Sequence, residues 1–202
     1  LIKDNEKFIR SIAAAKNYAE KGNLVTFGII PTSPEVGYGY IESIEPLEID
    51  SIVASPISKF IEKPDIEKAK KLFSDQRFTW NSGMFLFRAS IFLKELEKYS
   101  PQVIKSCKKA LKENLLDMDF QRLDKEAFKD CPNISIDYAV MEKTTLGVVL
   151  PLNVGWSDVG SWKSVWEVSR KDDYGNVLIG DVITKDLNNC YVRSENRLVV
   201  GL

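Results

Sequence analysis

Between Asp4 and Lys21 the apolar residues Phe8, Ile12, Ala15 and Ala19 recur at the i, i+4, i+7, i+11 spacing of one helical face. Asp4 is placed to cap the start of this helix, and Gly22 follows its end. The next run, Leu24-Val-Thr-Phe-Gly-Ile-Ile30, is apolar and β-rich and reads as a buried strand stopped by Pro31 and Pro34. A helix followed by a buried strand predicts a parallel sheet with crossover helices. Gly37-Tyr-Gly-Tyr40 opens a second extended segment, and Lys59-Phe-Ile-Glu-Lys-Pro64 is a third that its proline ends. Asp65 then reads as the cap of a helix through Leu72 and Phe73. Met84-Phe-Leu-Phe87 reads as another core strand, and the run Leu146-Gly-Val-Val-Leu150 precedes the Gly155–Trp162 cluster. Between them, Ile91 to about Phe128 is helical and charge-rich, with Pro101 starting a second helix. After residue 175 the pattern changes to short β-like pieces near Val177–Ile179, Tyr191–Val192 and Leu198–Val200, separated by polar turns.

Composition narrows the chemistry more than it narrows the fold. The 202 residues include no histidine. A serine–histidine triad, a Cys–His pair and a histidine metal ligand are therefore excluded within them. Chemistry here runs on carboxylates, lysines, backbone amides or a metal held by oxygen. The 28 basic and 29 acidic side chains balance to a net charge of −1, so nothing draws the chain generally to nucleic acid or to an anionic membrane. Three cysteines, Cys107, Cys131 and Cys190, without a CxxC spacing, suit reduced thiols in the cytoplasm. No apolar run approaches the roughly 18 residues of a membrane span, and no basic-then-apolar leader opens the chain.

Five local patterns carry candidate chemistry. Glu62-Lys63-Pro64 stands at the end of a strand, where open α/β sheets place ligand contacts. Glu62 can accept from two vicinal hydroxyls and Lys63 can face a phosphate, although the pair also reads as an exposed ion pair at a turn. In Trp80-Asn-Ser-Gly83, Asn81 offers a donor and an acceptor, and Gly83 permits close backbone approach; a plain turn would use the same residues. Gly37, Tyr38 and Gly39 suggest a backbone packed against a planar or sugar ligand, or a bulge. In Gly155-Trp-Ser-Asp-Val-Gly-Ser-Trp162, Asp158 can hold Mg²⁺ between two tryptophans, and it also reads as the cap of a helix from Ser161. Asp137, in Ser135-Ile-Asp-Tyr-Ala-Val-Met-Glu-Lys143, reads as a first-turn acid or as a substrate or supporting contact.

Taken together, Gly28–Ile41, Phe60–Asp65, Trp80–Phe85, Ser135–Tyr138, Met141–Lys143 and Gly155–Trp162 resemble the mannose-1-phosphate guanylyltransferases, and among them the bacterial bifunctional type that also carries mannose-6-phosphate isomerase. The resemblance implies an α/β, Rossmann-like nucleotidyltransferase fold. This is a mixed, glycosyltransferase-A-like sheet with flanking helices, its sugar-phosphate-binding portion at 1–175 and a β-rich element starting at 176–202. It implies GTP and mannose 1-phosphate as substrates, Mg²⁺ as cofactor, a cytoplasmic setting, and a homodimer as an open assembly. By motif, Glu62, Asn81 and the backbone near Gly39 would hold the mannose, Lys63 its phosphate and Asp158 the magnesium; Gly37, Tyr38, Gly83 and Asp137 join the substrate set. The family's glycine-rich nucleotide signature has no counterpart here, and Leu1-Ile2 matches the end of its Asp-His-Leu-Ile segment. The expectation is that the nucleotide half of the site and any isomerase lie outside these residues, leaving this segment inactive alone. A glucose-1-phosphate-type transferase and a non-catalytic sugar-nucleotide sensor are the alternatives.

Overall fold

A computed structural model of the chain describes residues 1–111 and 115–202. These form two compact units, Asp4–Val154 and Leu1–Lys3 with Gly155–Leu202.

In the larger unit, α1 (Asn5–Glu20) starts where Asp4 accepts a hydrogen bond from Lys7 N at 2.9 Å. Its buried residues are Ser11, Ala15 and Ala19, while Ile12 is 37% exposed. Ser11 occupies the inner stripe in place of Ile12, and its hydroxyl donates to the Lys7 carbonyl at 2.9 Å, which satisfies the polar atom inside the helix. Strand β1 (Leu24–Ile29) is buried along its whole length.

The strands that follow are β2 (Tyr40–Ser43), β3 (Ser55–Ile61), β4 (Phe78–Leu86) and, later in the chain, β7 (Gly147–Leu152). Pairing runs β1–β4–β2–β3–β7 and closes through β7 on β1. Only β1–β7 is parallel; the other pairs are antiparallel. The helix-then-strand order predicts parallel pairing, which β1–β7 shows, and the sheet as a whole is mixed, as the resemblance implies. Strands β2 and β3 follow one another as an antiparallel pair, which needs no crossover helix. At Gly28 the β1–β4 register shifts, and a Cβ there would fall on the Thr79 hydroxyl and the Val149 side chain.

Helix α2 (Ile66–Phe73) is capped as expected, Asp65 accepting from Lys68 N at 2.8 Å. Helices α3 (Ala89–Tyr99) and α4 (Pro101–Ala110) meet at Pro101. The helical run expected through Phe128 crosses residues 112–114, which lie outside the described residues. It then gives way to an antiparallel hairpin, β5 (Leu115–Asp117) with β6 (Phe120–Arg122), before the short α5 (Lys125–Lys129). A single π-helical turn spans Asp137–Met141, closed by Glu142 N donating to Asp137 O at 2.9 Å. Its Ala139, Val140 and Met141 are buried in one cluster with Leu24, Leu96 and Ile104, and Ser100 Oγ donates to Ala139 O at 3.0 Å.

The smaller unit holds α6 (Trp162–Val168) and four three-residue strands, β8 (Val177–Ile179), β9 (Val182–Thr184), β10 (Tyr191–Arg193) and β11 (Val199–Gly201). Strand β10 lies parallel on β8 and β11 parallel on β9. Buried Asn176 ties the connecting loops, donating to Leu187 O at 2.8 Å and accepting from Cys190 N at 3.0 Å. No helix among the described residues is long and apolar enough to cross a membrane.

Candidate functional site

Strand β3 ends at Ile61, and Glu62 and Lys63 follow before Pro64 turns the chain into α2. Lys63 has a φ of +41°, in a region that costs a non-glycine residue about 1 kcal/mol or more. The two side chains point outward, 39% and 65% exposed for Glu62 and Lys63, with Nζ 3.7 Å from Oε1. Across the sheet, β2 pairs with β4 through Tyr40 and Trp80, and the ladder continues one step as Asn81 N donates to Gly39 O at 2.7 Å. This brings the Gly39 backbone against the Glu62 carboxylate. A Cβ on Gly39 would stand 2.6 Å from Glu62 Oε2 and 3.6 Å from Asn81 Cβ.

The Asn81 side chain is held at both ends. Its Nδ2 donates to Asp137 Oδ1 at 2.9 Å and its Oδ1 accepts from Gly83 N at 3.1 Å. Gly83 takes a φ of +68°, a conformation natural to glycine, to aim that N–H. Gly39, Glu62, Asn81, Gly83 and Asp137 are thus joined by direct contacts, with Lys63 beside Glu62. Tyr38 lies with its ring edge against Trp80, centroids 5.1 Å apart, and Tyr40 Oη donates to Glu35 O at 2.9 Å, tying down the loop before β2. Gly37 has open space around it, and a Cβ there would meet nothing within 4 Å.

Two further groups, neither singled out from the sequence, share this region. Partial desolvation raises the Glu142 carboxyl above its ordinary value, the charges of Asp137 and Glu62 push the same way, and Lys143 opposes them. The Tyr138 phenol is raised by desolvation first and then by the charges of Glu62, Glu142 and Asp137. The signal was hidden because Asp137 and Glu142 are five apart. Helical periodicity of three or four does not pair them, but an i→i+5 turn does.

A cleft of about 990 Å³ lies elsewhere in the same unit, lined by Lys7, Arg10, Tyr18, Asp50, Ile52 and Asn153 among others, and contains none of these residues. Lys7 Nζ and Asn153 Nδ2 both donate to Asp50 Oδ1, at 2.5 and 3.1 Å, and hold that carboxyl below its usual range.

Asp158 belongs to the smaller unit. Its Oδ1 accepts from Gly160 N at 3.3 Å, and a Cβ at Gly160 would meet its Oδ2 at 2.9 Å. It does not cap the following helix. Ser161 does, its Oγ accepting from Ser164 N at 3.1 Å, because an N-cap must immediately precede the first helical residue. The Trp162 ring leans on Tyr191, centroids 5.7 Å apart. Among the described residues, no group of three or more Cys, Asp or Glu could hold a metal ion by itself.

Chemically, the larger unit offers a carboxylate acceptor, an oriented amide and exposed backbone beside one lysine. That inventory suits a polyhydroxyl ligand bearing an adjacent anion. The chain is 50% identical to a mannose-1-phosphate guanylyltransferase of Salmonella montevideo over all of its own length and 43% of that protein's. It is 48% identical to one of Escherichia coli K12 over 98% of this chain and 42% of that protein. It therefore spans less than half the length of these relatives. Among solved structures, a Thermus thermophilus protein described as a mannose-1-phosphate geranyltransferase superposes with a TM-score of 0.79 at 29% identity, over 100% of this chain and 57% of that one. A Helicobacter pylori mannose-6-phosphate isomerase does so at 0.67 with 37% identity, over 78% of this chain and 60% of that one. Residues 1–174 match the profile of the nucleotidyl transferase family, and the chain belongs to that family.

Proposed function

We propose that the protein transfers a guanylyl group from GTP to mannose 1-phosphate, giving GDP-mannose and pyrophosphate. The observation that carries this reading is the contact set of Gly39, Glu62, Asn81 and Asp137 with Lys63 alongside, in a chain whose relatives are named for that activity. In the proposed reaction a phosphate oxygen of mannose 1-phosphate attacks the α-phosphorus of GTP, a P–O bond forms, and the bond to the departing pyrophosphate breaks. The attacking oxygen is already anionic at neutral pH, so the step calls for positioning and charge neutralisation in place of a protein base. The absence of histidine is no obstacle. Glu62 and Asn81 hold the sugar hydroxyls, the Gly39 backbone forms the floor beneath them, and Lys63 neutralises the sugar phosphate.

A single carboxylate, Asp158, fits a hard cation whose shell substrate phosphates and water complete. The divalent ion we place there is Mg²⁺, which when bound would neutralise charge on the nucleotide phosphates. We place nucleotide-binding residues and any isomerase activity outside residues 1–202, and the reaction in the cytoplasm; a homodimer is the assembly to be tested.

The decisive assay is pyrophosphate release by the full-length polypeptide, with GTP set against UTP and dTTP and mannose 1-phosphate against glucose 1-phosphate. Preference for GTP with mannose 1-phosphate is expected. Equal or better use of glucose 1-phosphate would overturn the assignment, and binding of GDP-mannose without turnover would indicate a sensor.

A further inference from the structure

The Asn81 amide has two possible orientations, related by a half-turn about its last bond. Only one satisfies its surroundings. With Nδ2 toward Asp137 Oδ1 at 2.9 Å and Oδ1 toward Gly83 N at 3.1 Å, both ends are complementary. The reversed amide would set its oxygen against a carboxylate and its NH₂ against an N–H. The bond to Asp137 is also charge-assisted, roughly twice as strong as a neutral one. Asp137 is itself immobilised. It is the first residue of the π turn, its carbonyl accepts from Glu142 N at 2.9 Å, and the next three residues of the turn after Tyr138 are buried among helices α3 and α4.

We infer that Asp137 is a positioning residue. It acts on the sugar through Asn81, locking the amide so that one Nδ2 proton and one Oδ1 lone pair face the ligand. Its kinetic consequence rests on the proposed function, because it takes Asn81 as a sugar contact; the orientation of the free amide does not. The link also runs one step further, since Asn81 N holds Gly39 O at 2.7 Å. The helical core, the turn, the amide and the floor of the site form one connected chain of contacts.

The test compares Asp137→Ala, Asp137→Asn, Asn81→Ala and the Asn81→Ala/Asp137→Ala double variant in the full-length protein. Asp137→Ala should raise KM for mannose 1-phosphate about tenfold while leaving KM for GTP unchanged, the size expected when a charged hydrogen bond is lost. Asp137→Asn keeps an acceptor oxygen and should recover most of that loss. Once Asn81 is alanine, removing Asp137 should add less than about twofold, since residues acting through one another are non-additive. A double variant whose effect is the product of the two singles would overturn the inference, as would an Asp137→Ala protein with unchanged KM.

The second readout needs no activity. The side-chain amide NMR signals of Asn81 in the ligand-free protein should shift in Asp137→Ala and hold nearly steady in Asp137→Asn. Signals unmoved by Asp137→Ala would refute the lock even if the enzyme worked. A wild-type protein that releases no pyrophosphate from GTP and mannose 1-phosphate would sink the proposed function instead, and the NMR comparison would still decide the positioning role.

Discussion

Replacing Gly39 with alanine separates the site from the fold. No positive φ constrains Gly39, so the backbone accepts alanine without strain. The new Cβ would stand 2.6 Å from Glu62 Oε2, against the 3.4 Å at which ordinary contact begins, so the carboxylate must retreat by 3.4 − 2.6 = 0.8 Å. Glu62 can do so, because its side chain is 39% exposed and sits at a strand end. The cost to stability is then small, within about 0.5 kcal/mol, as for other surface substitutions. Displacing a charged acceptor from a ligand hydroxyl forfeits about 1.5–3 kcal/mol, which is roughly a ten- to 150-fold loss in kcat/KM. The assay is steady-state pyrophosphate release with mannose 1-phosphate varied at saturating GTP, paired with a thermal melt. Wild-type kcat/KM in Gly39→Ala would refute the placement of Glu62 against the sugar. A fall in Tm of many degrees would put the clash in the sheet and not in the site. Gly37→Ala, with nothing within 4 Å of its added Cβ, should melt like the wild type.

Other perturbations have equally definite outcomes. Gly28→Ala drives a methyl onto fully buried Thr79 and Val149 and should destabilise by about 3 kcal/mol or more, read from urea denaturation. The Glu142 carboxyl has a raised folded-state pKa, so the folded form holds its proton to higher pH than the unfolded chain does. Stability from this group is therefore greatest at low pH and falls as pH rises through the region just above the ordinary glutamate value of about 4.3. Glu142→Gln should raise Tm at pH 7 and leave it unchanged near pH 4; an equal rise at both would contradict the charge argument. Asp50 runs the other way. Its lowered pKa stabilises the fold above the ordinary carboxylate range and the benefit disappears as pH falls through its folded value, so Asp50→Asn should lower Tm at pH 7 but not in acid. Asp158→Asn should cut turnover strongly, and near-normal turnover across a magnesium titration would remove the metal assignment.

The elements legible in the sequence were those whose causes are local. Asp4 and Asp65 cap their helices through their own side chains, Pro101 opens a helix by its fixed φ, and the Leu24 run is a buried strand whatever it pairs with. Pairing itself is non-local, and so the antiparallel closure through β2 and β3 was not visible in a helix-then-strand rule. Ser11 took an inner position from Ile12 because a backbone carbonyl one turn away could satisfy its hydroxyl. The contacts among Gly39, Glu62 and Asn81 join the residue before β2, the residue after β3 and the interior of β4, legible as motifs but not as distances. Tyr138 and Glu142 stayed hidden because their place depends on a turn with the wrong period for an α-helix.

That turn also makes the site sensitive to residue count. The π closure between Asp137 and Glu142 holds one residue more than an α-helical closure would. Deleting a single residue inside it could leave the backbone regular and the apolar residues still able to pack. The deletion would nonetheless rotate everything on one side of the cut by about 100° relative to the other. Asp137 and the Ala139–Met141 face could no longer point to the amide and the core at once. Length variation in this chain is therefore cheap in surface loops and expensive at this point, where a one-residue change would uncouple ligand recognition from a fold that survives it.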